Sequence, residues 1–550
     1  YCLNTANELF VCDVYRNKYI KQGCADEAGK YFEVQGDNSF IFWQPGMDNP
    51  VVVQHGKAWV LEKKNNLQVQ CRLIASGIPE NTFFNYAQYK KDGNYLFLGS
   101  ASKGIYIIHQ NQLTTKQPDI RSINQRNSFY SQIELPNGNI ITNDGIIIGH
   151  NPVHNSFNIG SPFANSVFAI NDSSLIYAIG DSLFMYNIRT YTNRLISNTS
   201  INEGFSLAFS GKQLYFANQK GIGIINNNGN LDFLKRYDEK TGMHIQAFTM
   251  VEIAPGKLAI ATCDGLLGFD TKTNKVDTLL KIPAVCVRSL YKEGDYIFIG
   301  TYGGGYYVMK NGILKLMPLD INQYLKYAHC FIKDEKGFCW ISTNNGLFKI
   351  KMEDMIEAYE KNLPQIYYHY FGNDDGMETT EMNGGCTPCA IRLKNGNFSF
   401  PTMDGLVSLN PEKTTMSLPA GKIYIDKLLV DGNETKISNP EFIHLPVHTS
   451  KIEIGLALNA WCKKENLYLD YKLNNDEWQQ SQMAFNAPKI NFSNLKYGNY
   501  MVTVRKMNGF GINNYSYATI SFTIATPFYH QWWFRVLGVL ILAGIAYLIF

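Results

Sequence analysis

The sequence predicts an all-β fold: a seven-bladed β-propeller with extra N-terminal blades of a preceding propeller, then an immunoglobulin-like β-sandwich and the start of a transmembrane helix. Three observations carry that expectation. A two-strand unit recurs at roughly forty-residue spacing, which is the rhythm of propeller blades. After Pro419 the pattern changes to longer alternating strands. The final stretch, Val536 to Phe550, contains no charged residue.

Composition points the same way. A chain of 550 residues is too long for one compact core, so two or three domains are expected. Aromatic residues make up 13% and charged residues only 18%, with 45 Gly, a profile that suits strands and tight turns better than helices. The formal net charge is +3 with no Lys/Arg run, so no nucleic-acid partner is expected for this region.

The repeat is an apolar strand, a polar turn, a small residue and a second apolar strand. It reads YLFLGSASKGIYII from Tyr95, LAIATCDGLLGF from Leu258 and FCWISTNNGLFKI from Phe338. The small residue falls at Gly104, Gly145, Ser182, Gly221, Gly265, Gly305, Gly346 and Gly405, at intervals of 37 to 44 residues with a last one of 59. A helical solenoid would show a period of about 3.6 residues instead. Asn-Gly, Asp-Gly and Pro-Gly pairs upstream of the units supply the hairpin turns. The long last interval contains KMEDMIEAYEKNLPQ from Lys351, read as a short amphipathic helix between blades. Eight clear units exceed one seven-bladed ring. The ring is therefore expected over 124–419, with 1–123 as the remaining blades of an N-terminal propeller; a single larger ring is the competing arrangement.

Residues 420–526 alternate in about seven strands separated by hairpin turns, which is sandwich grammar. Residues 527–550 form the juxtamembrane segment and the helix. Trp532 and Trp533 stand where an interfacial aromatic belt would lie, and Arg535 can snorkel to the same level. The span looks cut before the roughly 20 residues that a bilayer requires.

Within this stretch, LYLDYKLNNDEWQ, NFSNLKYGNYMVTVRKMNGFG and ISFTIATPFYHQWWFRVLGVLIL resemble the triple-tyrosine (Y_Y_Y) domain and its following helix. Tyr471, Trp478, Leu495, Gly498, Tyr500 and the run from Pro527 to Phe534 carry the likeness. Phe338 to Leu347 resembles the two-component regulator propeller repeat. The resemblance implies the periplasmic sensor region of a hybrid two-component receptor in the inner membrane of a Gram-negative bacterium. It further implies a glycan-derived oligosaccharide ligand, a homodimer and a histidine kinase beyond the helix. Under that expectation residues 1–526 are periplasmic and the region is not an enzyme. The alternative is a propeller scaffold that binds a protein partner and drives a non-kinase output, such as a helix-turn-helix regulator.

In a four-stranded blade the turn between second and third strands opens on the same face as the connection to the next blade. Tyr302, Asn344, Asn345, Asn143, Asp144, Asp404, Asn218 and Lys220 therefore gather on one rim. Amides, hydroxyls and aromatic faces hold neutral sugars, and a cation adds affinity for acidic ones. Asn and Asp are also ordinary turn residues. Tyr302 is the strongest ligand candidate, because a tight turn requires no large side chain. No cofactor and no metal is expected. His444 and His448 are separated by Pro446, which breaks a helical metal pair, and His244 and His329 have no evident partners. Of the 11 cysteines only Cys386 and Cys389 form a CxxC, without the second pair or βαβ context that zinc or redox chemistry would need. Asp144, Asp264 and Asp404 each precede Gly in equivalent turns, which argues for structure rather than catalysis.

Overall fold

The computed structural model describes residues 40–550 apart from 66–67, 91–94, 110, 119–126, 150–165, 180–181, 191, 199–204, 227–229, 238–245, 282–284, 436, 438–442 and 481–487, together with strand backbone at 2–3, 9–13, 18–21 and 23–26. His244 and Asn124 lie outside the described residues.

Seven small antiparallel sheets follow one another as blades. Blade 1 is built on Gln132–Glu134, Ile140–Thr142 and Ile147–Ile148. Blades 2 to 5 each comprise four sequential strands, spanning 167–198, 205–236, 249–281 and 287–316. Blade 6 uses Ala328–Lys333, Phe338–Thr343, Gly346–Lys351 and His369–Phe371, and blade 7 uses Ile391–Arg392, Phe398–Thr402 and Gly405–Leu409. The first strands of blades 3 and 4, 4 and 5, and 5 and 6 lie side by side, as inner strands around an axis do.

Blade 7 is completed from far upstream in the sequence. Leu113–Lys116, N-terminal to the expected start of the ring, pairs antiparallel with Gly405–Leu409, Leu113 opposite Leu409. Without it the outer edge of blade 7 would expose unpaired backbone groups. On the other side, blade 7 joins blade 1: the Gln132 amide donates to Ser399 O at 2.8 Å, and the Ser399 hydroxyl donates to Gln132 Oε1 at 2.6 Å. Together these contacts close a seven-bladed ring.

The recurring glycine has a local cause. Gly346 and Gly405 adopt φ of 115° and 106°. A Cβ on Gly346 would fall 2.6 Å from Phe371 O, and one on Gly405 2.6 Å from Lys116 O, because the outermost strand passes directly over the turn. The preceding Thr is equally placed: the hydroxyls of Thr262, Thr301, Thr343 and Thr402 each donate to the carbonyl of that glycine. Thr and Gly thus recur because the same turn is built in blades 4 to 7.

The amphipathic helix forms at Met352–Lys361, but inside blade 6, between its third and fourth strands, rather than between blades. Met355, Ala358 and Tyr359 bury against the ring. Asn362 ends the helix in the left-handed conformation (φ 53°) that Asn tolerates.

C-terminal to the ring, two sheets face each other. One orders Asn433–Thr435, Ile423–Val430, Lys451–Leu458 and Lys489–Ser493; the other orders Ile443–Leu445, Tyr515–Ile524, Gly498–Met507, Leu469–Leu473 and Gln479–Gln480. Alternate residues, among them Ile452, Ile454, Val502, Val504, Ile520 and Phe522, form the sandwich core. The N-terminal region adds further sheets, of which that of Phe84–Lys90, Tyr95–Ser100 and Ile105–His109 reaches the sandwich: the Trp461 ring meets Tyr95 and Phe97 at centroid distances of 5.9 and 5.2 Å.

Ring and sandwich are not independent beads. Tyr468 and Met507 of the sandwich belong to the same buried cluster as Phe348, Tyr359, Tyr367 and Tyr368 of the ring. Polar contacts fix the register: Tyr370 N donates to Asn466 Oδ1 at 2.7 Å, Gly511 N to Asp354 Oδ2 at 2.8 Å, and Lys463 Nζ lies 2.6 Å from Asp375 Oδ2. Beyond the last strand, Trp532–Ile549 is a helix of mean hydropathy 2.0 with none of its apolar window buried. It is long and apolar enough to cross a membrane, and packing inside a soluble core does not account for its composition.

Candidate ligand-binding site

Each of the eight rim residues stands at or beside the turn that follows a blade's second strand, and the structure separates them by role. Asn143 is buried, its Oδ1 accepting from Tyr130 N and Ser131 N at 2.9 and 3.3 Å, and its amide donates to Asp144 at 2.6 Å. Asn218 is fully buried and caps its own turn, accepting from Lys220 N and Gly221 N. Asp404 accepts from the Asn127 amide at 3.0 Å and so ties blade 7 to the entry of blade 1. These side chains are engaged in holding turns and junctions. Lys220 and Asn345 are exposed, and Asn345 N donates to Thr343 Oγ1.

Tyr302 and Asn344 differ. Tyr302 is 48% exposed, although its ring packs edge-on against Tyr327 at 5.0 Å and lies 6.1 Å from the His329 ring. Asn344 Oδ1 faces His329 Nε2 in a short contact. The other ring nitrogen, Nδ1, is buried without a partner among the described residues. Burial holds the imidazole neutral, its pKa lowered to about 4.

Around Tyr302 and His329 the starts of the inner strands contribute a second set of groups. Phe248 precedes the first strand of blade 4, and Arg288 sits on that of blade 5 with its guanidinium carbon 4.1 Å from the Phe248 centroid and 5.4 Å from that of Tyr302. A segment between blades 6 and 7 passes across this end of the ring. Gly384 packs on His329 and Gly385 on Arg288 and Phe248. Cys386 Sγ donates to Tyr130 O, and Thr387 N donates to Ser166 Oγ at 3.1 Å. Cys389 is disulfide-bonded to Cys330, and Cys263 to Cys286. The CxxC is thus split: Cys389 anchors the crossing segment and Cys386 stays a buried thiol, its ionisation pushed up by burial. Arg288, Phe248, Tyr302 and His329 thus meet the pinned strap at one end of the ring, here called the axial mouth.

Arg288, Phe248 and His329 were not among the candidates drawn from the repeat, because they lie on or just before inner strands rather than in the polar turns. The available signal was Arg288 at the second position of the strand VRSLYKE, a position that is uncharged in the inner strands of the neighbouring blades. The described residues contain no cluster of three or more His, Cys, Asp or Glu suited to a metal ion.

His329 and a second buried imidazole, His369, predict an acid response. Burial lowers His369 to about 3, with Lys463, Lys349 and His109 adding charge repulsion. Each group gains a proton on unfolding between its folded value and the unfolded value near 6.5, so stability is full above that pH, falls as pH drops towards 4 and 3, and levels off below. The expected slope is up to about 1.4 kcal/mol per pH unit for each histidine. Urea unfolding at several pH values measures it. His369→Gln should flatten the slope, and an unchanged slope in that variant rules out His369 as its source.

Residues 463–525 match the Y_Y_Y domain family. Across the whole chain, the structure is similar to one described as the extracellular domain of the hybrid two component system BT3049 from B. thetaiotaomicron: TM-score 0.57, 14% identity, covering 94% of this chain and 70% of that one. The extracellular domain of the BT4673 system of the same organism aligns with TM-score 0.43 and 14% identity, over 96% of this chain and 77% of that one. No curated protein matches the chain significantly. The C-terminal sandwich therefore carries a Y_Y_Y domain, and the chain as a whole has the fold of the first of those extracellular domains.

Proposed function

We propose that this chain is the extracytoplasmic sensing region of a membrane receptor of the two-component type. In this reading the axial mouth of the ring takes up a glycan fragment. The sandwich relays its occupancy, and Trp532–Ile549 anchors the region in the inner membrane of a Gram-negative bacterium and passes the signal to a histidine kinase beyond. The observation that carries the reading is the single buried cluster shared by ring and sandwich, with the sandwich leading directly to an exposed apolar helix. A displacement at such a junction is transmitted rather than absorbed, as it would be by a flexible linker. Two copies side by side supply the second arrangement that a switch needs, and the ligand biases the pair by its differential affinity for the two arrangements.

Calorimetry on the full chain in detergent, against a panel of neutral and acidic oligosaccharides, tests the proposal. Saturable heat from one glycan class supports it. No heat from any glycan, together with tight binding of a purified protein partner, replaces it with a protein-binding scaffold.

A further inference from the structure

We propose that the axial mouth is built for an anionic glycan, with Arg288 as the counter-charge to a sugar carboxylate. The inference rests on the sensing reading above and deepens it by naming the ligand class.

A guanidinium offers five donors and always carries its charge, and taking it out of water costs several kcal/mol unless partners compensate. Arg288 is half-buried, and the buried or half-buried cations Lys349, Lys463, Arg505 and Lys506 among the described residues each have such a partner. Lys349 faces Asp334 at 3.7 Å, Lys463 faces Asp375, and the Arg505 Nε donates to Asp470 at 2.9 Å. Lys506 donates to Pro419 O and Asn508. Arg288 makes no hydrogen bond or ion pair among the described residues, and its Nε is wholly buried without a partner. Two rings, Phe248 and Tyr302, are its compensation. Cation–π contacts leave the N–H donors free, because they engage the face of the guanidinium and not its edge. Burial accordingly lowers its pKa.

What surrounds the charge is suited to a sugar rather than to a bare ion. Tyr302 presents a half-exposed ring to stack on a pyranose face, and Asn344 beside it adds an amide. A hydroxylated ring bearing a carboxylate, a uronic acid, combines these demands. Planar, bidentate recognition also favours a carboxylate as partner for arginine. Gly384 and Gly385 explain how the strap reaches so close: side chains there would collide with His329 and crowd Arg288.

Calorimetry on the full chain in detergent tests this with three probes: trigalacturonate, its neutral counterpart galactotriose, and inorganic sulfate. Trigalacturonate should bind at least about ten-fold tighter than galactotriose, a difference of about 1.4 kcal/mol. Arg288→Gln should bring trigalacturonate down to the neutral level, while Arg288→Lys keeps part of the preference. The melting temperature of Arg288→Gln should not fall, since removing an unpaired buried charge relieves a cost. Equal binding of both trisaccharides, or undiminished trigalacturonate binding by Arg288→Gln, overturns the anionic site while leaving the sensing reading intact. Sulfate binding as tight as trigalacturonate overturns the carboxylate assignment. Sulfate binding that vanishes in Arg288→Gln, without binding of either trisaccharide, supports the anion site and counts against glycan sensing. No heat with any probe overturns both.

Discussion

Asp334→Ala is expected to lower the stability of the ring by about 3–5 kcal/mol, the cost of leaving a buried charge unpaired. Asp334 sits at the end of the first strand of blade 6 and is 3% exposed. Its Oδ1 accepts from Phe338 N at 2.8 Å and its Oδ2 from Trp340 Nε1 at 2.9 Å. Lys349, 2% exposed, lies 3.7 Å away, stacked over the rings of Phe338 and Trp340 at 4.5 and 4.6 Å. Burial pulls the Lys349 pKa down, and the Asp334 carboxylate opposes that pull. Alanine removes the carboxylate and strands an ammonium, an indole N–H and a backbone N–H at once. The double variant Asp334→Leu/Lys349→Met removes both charges and should recover most of the loss. The denaturant midpoint of the ring's unfolding transition measures both. A loss below about 1 kcal/mol in the single variant would mean that water reaches Lys349 and that the pair is not buried in solution.

Phe510→Ala is the second, directed at the joint rather than at either domain. Phe510 stands in the turn between the strands Gly498–Met507 and Tyr515–Ile524, with its ring 5.0 Å from Phe338 and 5.2 Å from Tyr367 of the ring. The next residue, Gly511, donates to Asp354 on the helix Met352–Lys361. Phe510 is partly buried, so truncation should cost about 1–2 kcal/mol of docking, below the range for a fully buried aromatic. The sandwich core around Val502, Val504 and Phe522 does not include Phe510 and should keep its amide protection. Hydrogen exchange should therefore accelerate at Gly511, Tyr370 and the helix, and stay unchanged in the sandwich strands. Uniform protection in the variant would show that Tyr468 and the Lys463–Asp375 pair suffice, and that Phe510 is not part of the relay.

The joint has a third member. Asp375 is 4% exposed at its side chain; besides Lys463 it has His109 Nδ1 at 3.9 Å, and its carbonyl accepts from Gln112 N at 2.9 Å. His109 belongs to the N-terminal sheet and Lys463 to the sandwich. One carboxylate thus touches all three parts of the molecule. A sensor that must transmit small displacements benefits from such a shared contact, because packed interfaces switch between arrangements rather than deform.

Much of this was legible in the residues themselves. Period-two alternation, the Thr and Gly of the repeated turn, and the uncharged C-terminal stretch are local signals, each caused by sterics or solvation within a few positions. They determined the all-β class, the repeat, the sandwich and the apolar helix. Tertiary structure alone decided that Leu113–Lys116 crosses to blade 7, because edge pairing depends on where a chain returns in space and not on its own pattern. It decided that Asn143 and Asn218 serve turns, since only the fold shows which backbone N–H groups they meet. It also decided that Arg288 lies between the rings of Phe248 and Tyr302 with no acidic partner among the described residues, because what surrounds a charge is set by the whole fold.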